Sequence, residues 1–432
     1  MKKIICAILM LCFILSSATI YTYGLDSIDT NVPNVAIDMQ INKLLSYYYD
    51  SLIGDQPEPY SNICIENENT LFFKKFVEFD SLAKDMADCR ITTYHFDYEY
   101  IDFEDNITSA SASISADFYF TYEYRTTESA IGNIIYNFTF DKVNNKWYIS
   151  SIDTTFDGFV RVEKVAEDNP DLTIEELFAN EIQAIEENLE YEAYIADAYE
   201  AGTLSLVEEE DEMLMPLATT AYYYNAGRAA AWASAHALDG DSLSANFKYI
   251  YDPVTNKPEN CQNFVSQCIW AGYGGHLANG GNIRQNILNN VRMVSGSTSV
   301  GWFGCPPDFN SISDKWCNVN DFWTFAINNA GLGPRGTGYN NGGLYTGLHA
   351  GDLTEGRILQ LREGGSGSYE HSIIVSDTSD TDITATAYNK VYVCANSNER
   401  QDVPLKTMMI DKFGGSNCYM RMIVLSTGYF DS

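Results

Sequence analysis

Of the fifty residues from 163 to 212, eighteen are acidic and one, Lys164, is basic. So acidic a stretch is expected to be a spacer between two domains, one on either side of it. The segment carries about half of the formal charge of −33. A balance that acidic excludes electrostatic capture of nucleic acid or of an anionic membrane, since both need clustered Lys and Arg against phosphate. Within the segment, Pro170 and Thr173 open a helix, with Thr173 and Glu176 spaced as a capping box. Ile174, Leu177, Phe178, Ile182, Ile185 and Leu189 then recur at three- and four-residue steps and form one apolar stripe. Residues 208–212 are all acidic and predict an extended run. Residues 166–220 are therefore expected to be an acidic helical linker.

The chain starts Met1-Lys2-Lys3, continues with an apolar run over residues 4–15, and then has the small residues Ser16, Ser17 and Ala18. Basic start, short apolar segment and small-residue site together predict a secretory signal peptide over residues 1–24. The apolar run is shorter than the ~20 residues a spanning helix needs, so a secreted chain with no membrane contact after cleavage is expected. Cys6 and Cys12 leave with the leader. The remaining eight cysteines meet an oxidising exterior, and Cys64–Cys89, Cys305–Cys317 and Cys394–Cys418 are the local pairs that suggest disulfides. There is no CxxC pair and the histidines are not spaced as ligands, so neither a metal nor a cofactor is expected.

Residues 25–165 read as a smaller α+β domain. Helical stretches over 35–51 and 71–87 precede four strand-like runs at 91–103, 109–124, 130–141 and 146–152. In residues 111–118 small and apolar side chains alternate with polar ones, as a half-buried strand requires. The bridge Asp141-Lys142-Val143-Asn144-Asn145 fits a hairpin. Helices followed by an antiparallel sheet resemble an NTF2-like or cystatin-like architecture by element order. His95, alone in a Tyr-rich strand, is expected to be structural.

Residues 221–432 carry the chemistry. At their centre is CQNFVSQC, residues 261–268, preceded by Pro258 and Asn260. The apolar run that follows predicts a buried helix, with Phe264, Val265, Cys268 and Ile269 on one face and Asn263, Ser266 and Gln267 on a polar stripe. Cys261 falls in the first turn, where unpaired N–H groups and the positive dipole end favour thiolate and can receive an oxyanion.

This stretch resembles the putative amidase domain family, a branch of the papain-like cysteine hydrolases with a Cys-x-Asn-Phe-Val-Ser-Gln signature; here these are Cys261, Asn263, Phe264, Val265, Ser266 and Gln267. Other features stand in the family's order. Tyr224-Asn225 and Arg228 to Ala233 resemble its opening helix, and Trp302, Trp316 and residues 319–325 its tryptophan-containing segment. His371-Ser372-Ile373-Ile374-Val375 resembles its histidine strand; Asn396-Ser397-Asn398-Glu399-Arg400 with Pro404-Leu405 resembles its closing motif. The likeness covers residues 222–424. Where relatives present a histidine this chain has Asn396, and where they have an Asp before the nucleophile it has Asn260.

The resemblance implies an α+β, papain-like C-terminal domain that hydrolyses amide bonds, with Cys261 as nucleophile, His371 as base and Asn396 as the group that orients the imidazole. Asn398 is the alternative for that last role, and Asn263, Gln267 and Asn398 are candidate binding residues. Such a triad needs an imidazole to take the thiol proton and return it to the leaving amine. His236, His276 and His349 compete with His371 but match no family motif. The expected partner is an amide or peptide substrate, of cell-wall type for an exported chain. A second reading is a catalytically idle secreted binding or adhesion module, in which Cys261 is oxidised to Cys268 or another thiol. A third gives the N-terminal domain an inhibiting or positioning task.

Overall fold

The computed structural model describes residues 35–200, 220–239, 246–250, 260–340, 348–364, 367–378, 384–396, 398–414 and 418–431. The expected leader over 1–24, the acidic run at 208–212, Pro258 and Ser397 lie outside them. The expected mixture of helix and antiparallel sheet is present.

In the first block, α1 (Val35–Ile53) and α2 (Glu68–Met86) cover one face of a meander formed by β1 (Ile91–Asp105), β2 (Ser109–Tyr122), β3 (Ser129–Val143) and β4 (Lys146–Thr154). The start of α2 is fixed by Asn67, whose side chain accepts from the Thr70 amide while the Thr70 hydroxyl accepts from the Asn67 amide, both at 3.1 Å. Every second residue of β2 from Ala110 to Tyr122 is buried, which is the alternation read from residues 111–118. Asn144 and Asn145 turn the β3–β4 hairpin with φ of 51° and 64°, the left-handed pair that a tight hairpin demands and asparagine tolerates.

Two helices follow, α3 (Asp157–Asp168) and α4 (Ile174–Glu200). Thr173 and Glu176 exchange the capping-box bonds expected of them, at 3.0 and 3.2 Å. The stripe on α4 does pack: Leu177, Phe178 and Ile185 are buried, and the Phe178 ring lies 5.4 Å from Phe72 and 5.7 Å from Phe79 of α2. The described part of the acidic segment is thus a docked helix and not a spacer. Its solvated face carries the carboxylates while its apolar face is held by aromatic contact.

The second block comprises β5 (Thr220–Tyr222), α5 (Ala226–His236), α6 (Cys261–Gly272), α7 (Ile283–Leu288), α8 (Asp314–Cys317), α9 (Val319–Asn328), β6 (Gly336–Asn340), β7 (Ile358–Glu363), β8 (His371–Asp377), β9 (Tyr392–Ala395), β10 (Glu399–Pro404), α10 (Leu405–Phe413), β11 (Cys418–Leu425) and β12 (Gly428–Phe430). Its sheet does not stand alone. Strand β10 pairs antiparallel with β3 through Glu399–Gly132, Arg400–Ile131 and Gln401–Ala130. One ten-stranded sheet therefore runs β1-β2-β3-β10-β9-β8-β7-β11-β6, with β4 on the other half of β3's edge. Residues from Ala36 onward form one unit.

Successive residues of the second block's strands face opposite layers, as the pleat requires. Ile373, Val393 and Met422 join the core shared with the first block, while Ile374, Cys394 and Ile423 join the core around α6. That period of two sandwiches the sheet between α6 on one side and α10 with the first block's elements on the other.

None of the three expected disulfides is present, and the topology excludes two of them. Cys394 in β9 and Cys418 in β11 are separated by β8 and β7. Three strand spacings amount to roughly 14 Å, beyond the ~7 Å between Cα atoms that a disulfide spans. Cys64 bridges to Ile149 of β4 while Cys89 leads into β1, with β3 and β2 in between. Cys305 and Cys317 each direct their sulfur to a local carbonyl, of Phe309 at 3.4 Å and Ser313 at 3.3 Å. Among the described residues no helix is long and apolar enough to cross a membrane, and no cluster of His, Cys, Asp and Glu is arranged to hold a metal ion.

Candidate active site

Cys261 is the first residue of α6 and His371 the first of β8, and both line one cleft of about 680 Å³. Helix and strand are locked together one residue further along. The Ser372 hydroxyl donates to Gln262 Oε1 at 2.6 Å, and Gln360 Nε2, on the neighbouring strand, approaches the same oxygen at 3.4 Å. Gln360 in turn donates to the Val319 carbonyl at 2.8 Å and accepts from Arg421 Nε at 2.7 Å. Gln262, Gln360 and Ser372 are fully buried, so these bonds form where an unmade partner is costly. They fix the relative placement of the two residues that precede Ser372 and Gln262, namely His371 and Cys261.

The sulfur of Cys261 faces the backbone amides of Ser372, Gln262 and Cys261 itself, and lies 3.8 Å from the Glu370 carbonyl. Those amides and the Lys412 ammonium favour thiolate, but burial outweighs them and pushes the thiol up from its ordinary value. The helix-start amides thus act in the expected direction, and burial is the larger, opposing cause. His371 is 5 % exposed, and its Nε2 is buried with no hydrogen-bond partner. Burial, then Lys412, then Arg400 drive its imidazole well below the usual histidine range. The two shifts agree: at neutral pH the pair rests as thiol and neutral imidazole. An imidazole with an open nitrogen can accept the thiol proton during attack, and the three amides are placed to receive negative charge.

The remaining expected site residues are brought near this pair but not into the cleft. Asn396 is fully buried; its Oδ1 accepts from Asn260 Nδ2 at 2.8 Å and its Nδ2 donates to the Ala237 carbonyl at 3.4 Å. Its carbonyl thus braces Asn260, the residue before Cys261, and its two hydrogen bonds named here go to Asn260 and Ala237, not to His371. Asn263 extends the same brace, donating to Asn260 Oδ1 at 2.5 Å and to the Lys248 carbonyl at 2.9 Å while accepting from the Trp316 indole at 2.7 Å. Gln267 is fully buried on α6. Asn398 donates to Asp157 of α3. None of these three expected binding residues lines the cleft. The Cys-x-Asn-Phe-Val-Ser-Gln signature is therefore mostly the scaffold of the helix start, with Cys261 alone reaching the cleft.

The competing histidines lie elsewhere. His236 sits 2.5 Å from Asp239 and packs at a tilt of 47° against Trp232, which His276 also approaches. His349 is buried at the start of a 3-10 turn, where its amide donates to Asp352. His95 is exposed and stacks on Tyr119, as expected of a structural strand residue. Oxidation of Cys261 to Cys268 is excluded by geometry. Seven residues along a helix rise about 10 Å, more than a disulfide can span, and Cys268 is wholly within the core around α6.

Several lining residues carried no recognisable signal. Tyr369 and Glu370 precede His371, Lys412 and Phe413 end α10, and Asp157, Val160, Arg161 and Lys164 come from α3 in the first block. A helix register read forward from Asp157 places residues 157, 160, 161 and 164 on one face, but nothing local says what that face meets.

Residues 223–420 match the model of a family described as Putative amidase domain. No curated protein matches the chain. The match carries the general class of amide-bond hydrolase and an amide substrate, and every residue of the cleft named above except those of α3 falls within it.

Proposed function

From a C-terminal half that matches the putative amidase domain family over residues 223–420, we propose that this chain is a secreted cysteine hydrolase of peptide or cell-wall-type amide bonds on a papain-like scaffold. The observation that carries the reading is the cleft in which Cys261 at a helix start and the open Nε2 of His371 are bolted together through the Gln262–Ser372 bond. In the first step the Cys261 S–H proton passes to His371 Nε2 as sulfur attacks the carbonyl carbon. Negative charge on the carbonyl oxygen is met by the helix-start amides. The C–N bond then breaks, the imidazolium returns its proton to the leaving amine, and a thioester remains. Water, deprotonated by the same imidazole, attacks the thioester, and the carboxylate product and free thiol are released. Export rests on the leader-like residues 1–24; a chain retained in the cells that still begins at Met1 would count against it.

The test is a hydrolysis screen over peptidoglycan fragments and simple amides, followed by a pH profile on the best substrate. The base works in its neutral form, and burial with two nearby cations lowers its pKa. Activity is therefore expected to stay level as pH falls through 6.5, and to decline only as pH passes the depressed histidine value. A half-loss at pH 6.5 or above argues for a different base, and no amide cleavage at all sinks the reading.

A further inference from the structure

Of the α3 residues that line the cleft with Cys261 and His371, Asp157 is the carboxylate, and it is paired with Lys412. Asp157 opens α3, outside the matched residues 223–420. It accepts from Asn398, from Arg400 Nη2 at 2.9 Å, and lies 3.3 Å from Lys412 Nζ. Lys412 lines the cleft together with Cys261 and His371. Behind Arg400 the network continues: Asp411 at 3.3 Å, then Lys84 at 3.7 Å, then Asp80 at 2.6 Å, with the Tyr48 hydroxyl donating to Asp80 at 2.5 Å. Three cations and three carboxylates thus alternate from the first block's core to the cleft, and their charges cancel. At least nine-tenths of Arg400, Asp411, Lys84 and Asp80 is buried, so the medium does little to screen them.

We infer that Asp157 is a positioning residue for the Cys261–His371 pair: it holds Lys412 and Arg400 in place and balances their charge beside the reacting atoms. The inference rests on the proposed roles of Cys261 and His371 and adds that the first block completes their electrostatics. Lys412 of α10 acts on both residues of the pair and Arg400 of β10 on His371. The cleft around them also carries Asp157 of α3 and, left in place by the substitutions below, Arg161 and Lys164 of α3, Asp314 of α8, Asp321 of α9, Glu363 of β7, and Tyr369 and Glu370 before β8. Removing the Asp157 charge leaves a net positive charge beside them. Positive charge favours thiolate on Cys261 and disfavours a proton on His371, so the thiol becomes easier to ionise while the imidazolium that must protonate an amine becomes scarcer. A mere loss of packing slows both functions together, which separates the two explanations.

The experiment follows alkylation of Cys261 by iodoacetamide against pH in the full chain, read by peptide mass spectrometry. Asp157→Asn is expected to move the midpoint down by about half to one pH unit, a three- to tenfold faster alkylation at any pH below it. The double variant Asp157→Asn/Lys412→Met is expected to restore the wild-type midpoint, because both charges are gone. Lys412→Met alone moves it up, and serves as the reading if Asp157→Asn does not fold. Cys261 labelled in the wild type with the same midpoint in every folded variant overturns this inference alone. A wild-type Cys261 that no pH renders reactive overturns the proposed function beneath it.

Discussion

Cys261→Ser is expected to lower amide hydrolysis by about a thousandfold or more and to abolish labelling by iodoacetamide, with thermal stability little changed. Oxygen replaces sulfur at the start of α6 and keeps the same backbone amides around it. A serine hydroxyl gives up its proton far less readily than a thiol, and the His371 imidazole is a weakened base because burial, Lys412 and Arg400 all oppose its protonation. The pair that suffices for a thiol cannot activate an alcohol, so the covalent step fails. Cys261 belongs to neither apolar core, so the exchange creates no cavity and the melting temperature is expected to move by no more than a surface substitution does. Steady-state rates on the substrate found by screening, beside a thermal melt, check both halves. Retained hydrolysis in the variant ends the case for Cys261 as nucleophile.

Arg400→Met is expected to destabilise the chain by about 3 to 5 kcal/mol. The guanidinium is completely buried between Asp157 at 2.9 Å and Asp411 at 3.3 Å. Its removal leaves Asp411, itself 1 % exposed, with Lys84 at 3.7 Å as its remaining ion-pair partner. An uncompensated buried carboxylate is costly, and burial already pushes the Asp411 carboxyl up from its ordinary value. Urea unfolding reads the loss as a lower midpoint with an unchanged slope. Replacing the pair together, Arg400→Met with Asp411→Leu, is expected to recover most of it, since apolar substitutes of similar size relieve both desolvation penalties. An Arg400→Met chain as stable as the parent contradicts the account of this network. The exposed pairs Lys75–Glu78 and Lys164–Asp168 make a useful contrast. Water screens them and their loss is expected to pass almost unnoticed.

The sequence made legible what local pattern determines. Alternation in residues 111–118, two asparagines at a hairpin, and a Thr–Glu pair three apart each specify backbone geometry within a few residues, and the structure has each of them. That Cys261 starts a helix and His371 a strand was legible for a related reason, since the apolar pattern of each element marks its start, and both line one cleft; their roles remain the proposal above. What sequence hid is long in range. Asp157 meets Arg400 across more than two hundred positions, and no spacing rule links them. Asn396 was assigned to the imidazole by resemblance, yet its carbonyl is taken by Asn260, a side-chain choice that only packing decides. The disulfides failed because closeness in sequence was read as closeness in space, while Cys394 and Cys418 have two strands between them. The acidic helix was legible in its stripe, which packs through Leu177, Phe178 and Ile185, while the surface that receives it, Phe72 and Phe79 of α2, lies about a hundred residues away and has no local signal.

The joint between β3 and β10 bears on how this protein can be divided. Excising residues 223–420 along the family boundary would strip β10 of its neighbour and present an open row of amides and carbonyls in the middle of what had been a continuous ladder. Such an exposed rim recruits strands from other molecules, and the fragment would also lose the helix that closes one wall of its cleft. The seam that a family alignment marks in this chain therefore runs through the interior of its architecture and does not mark a place where nature left it separable.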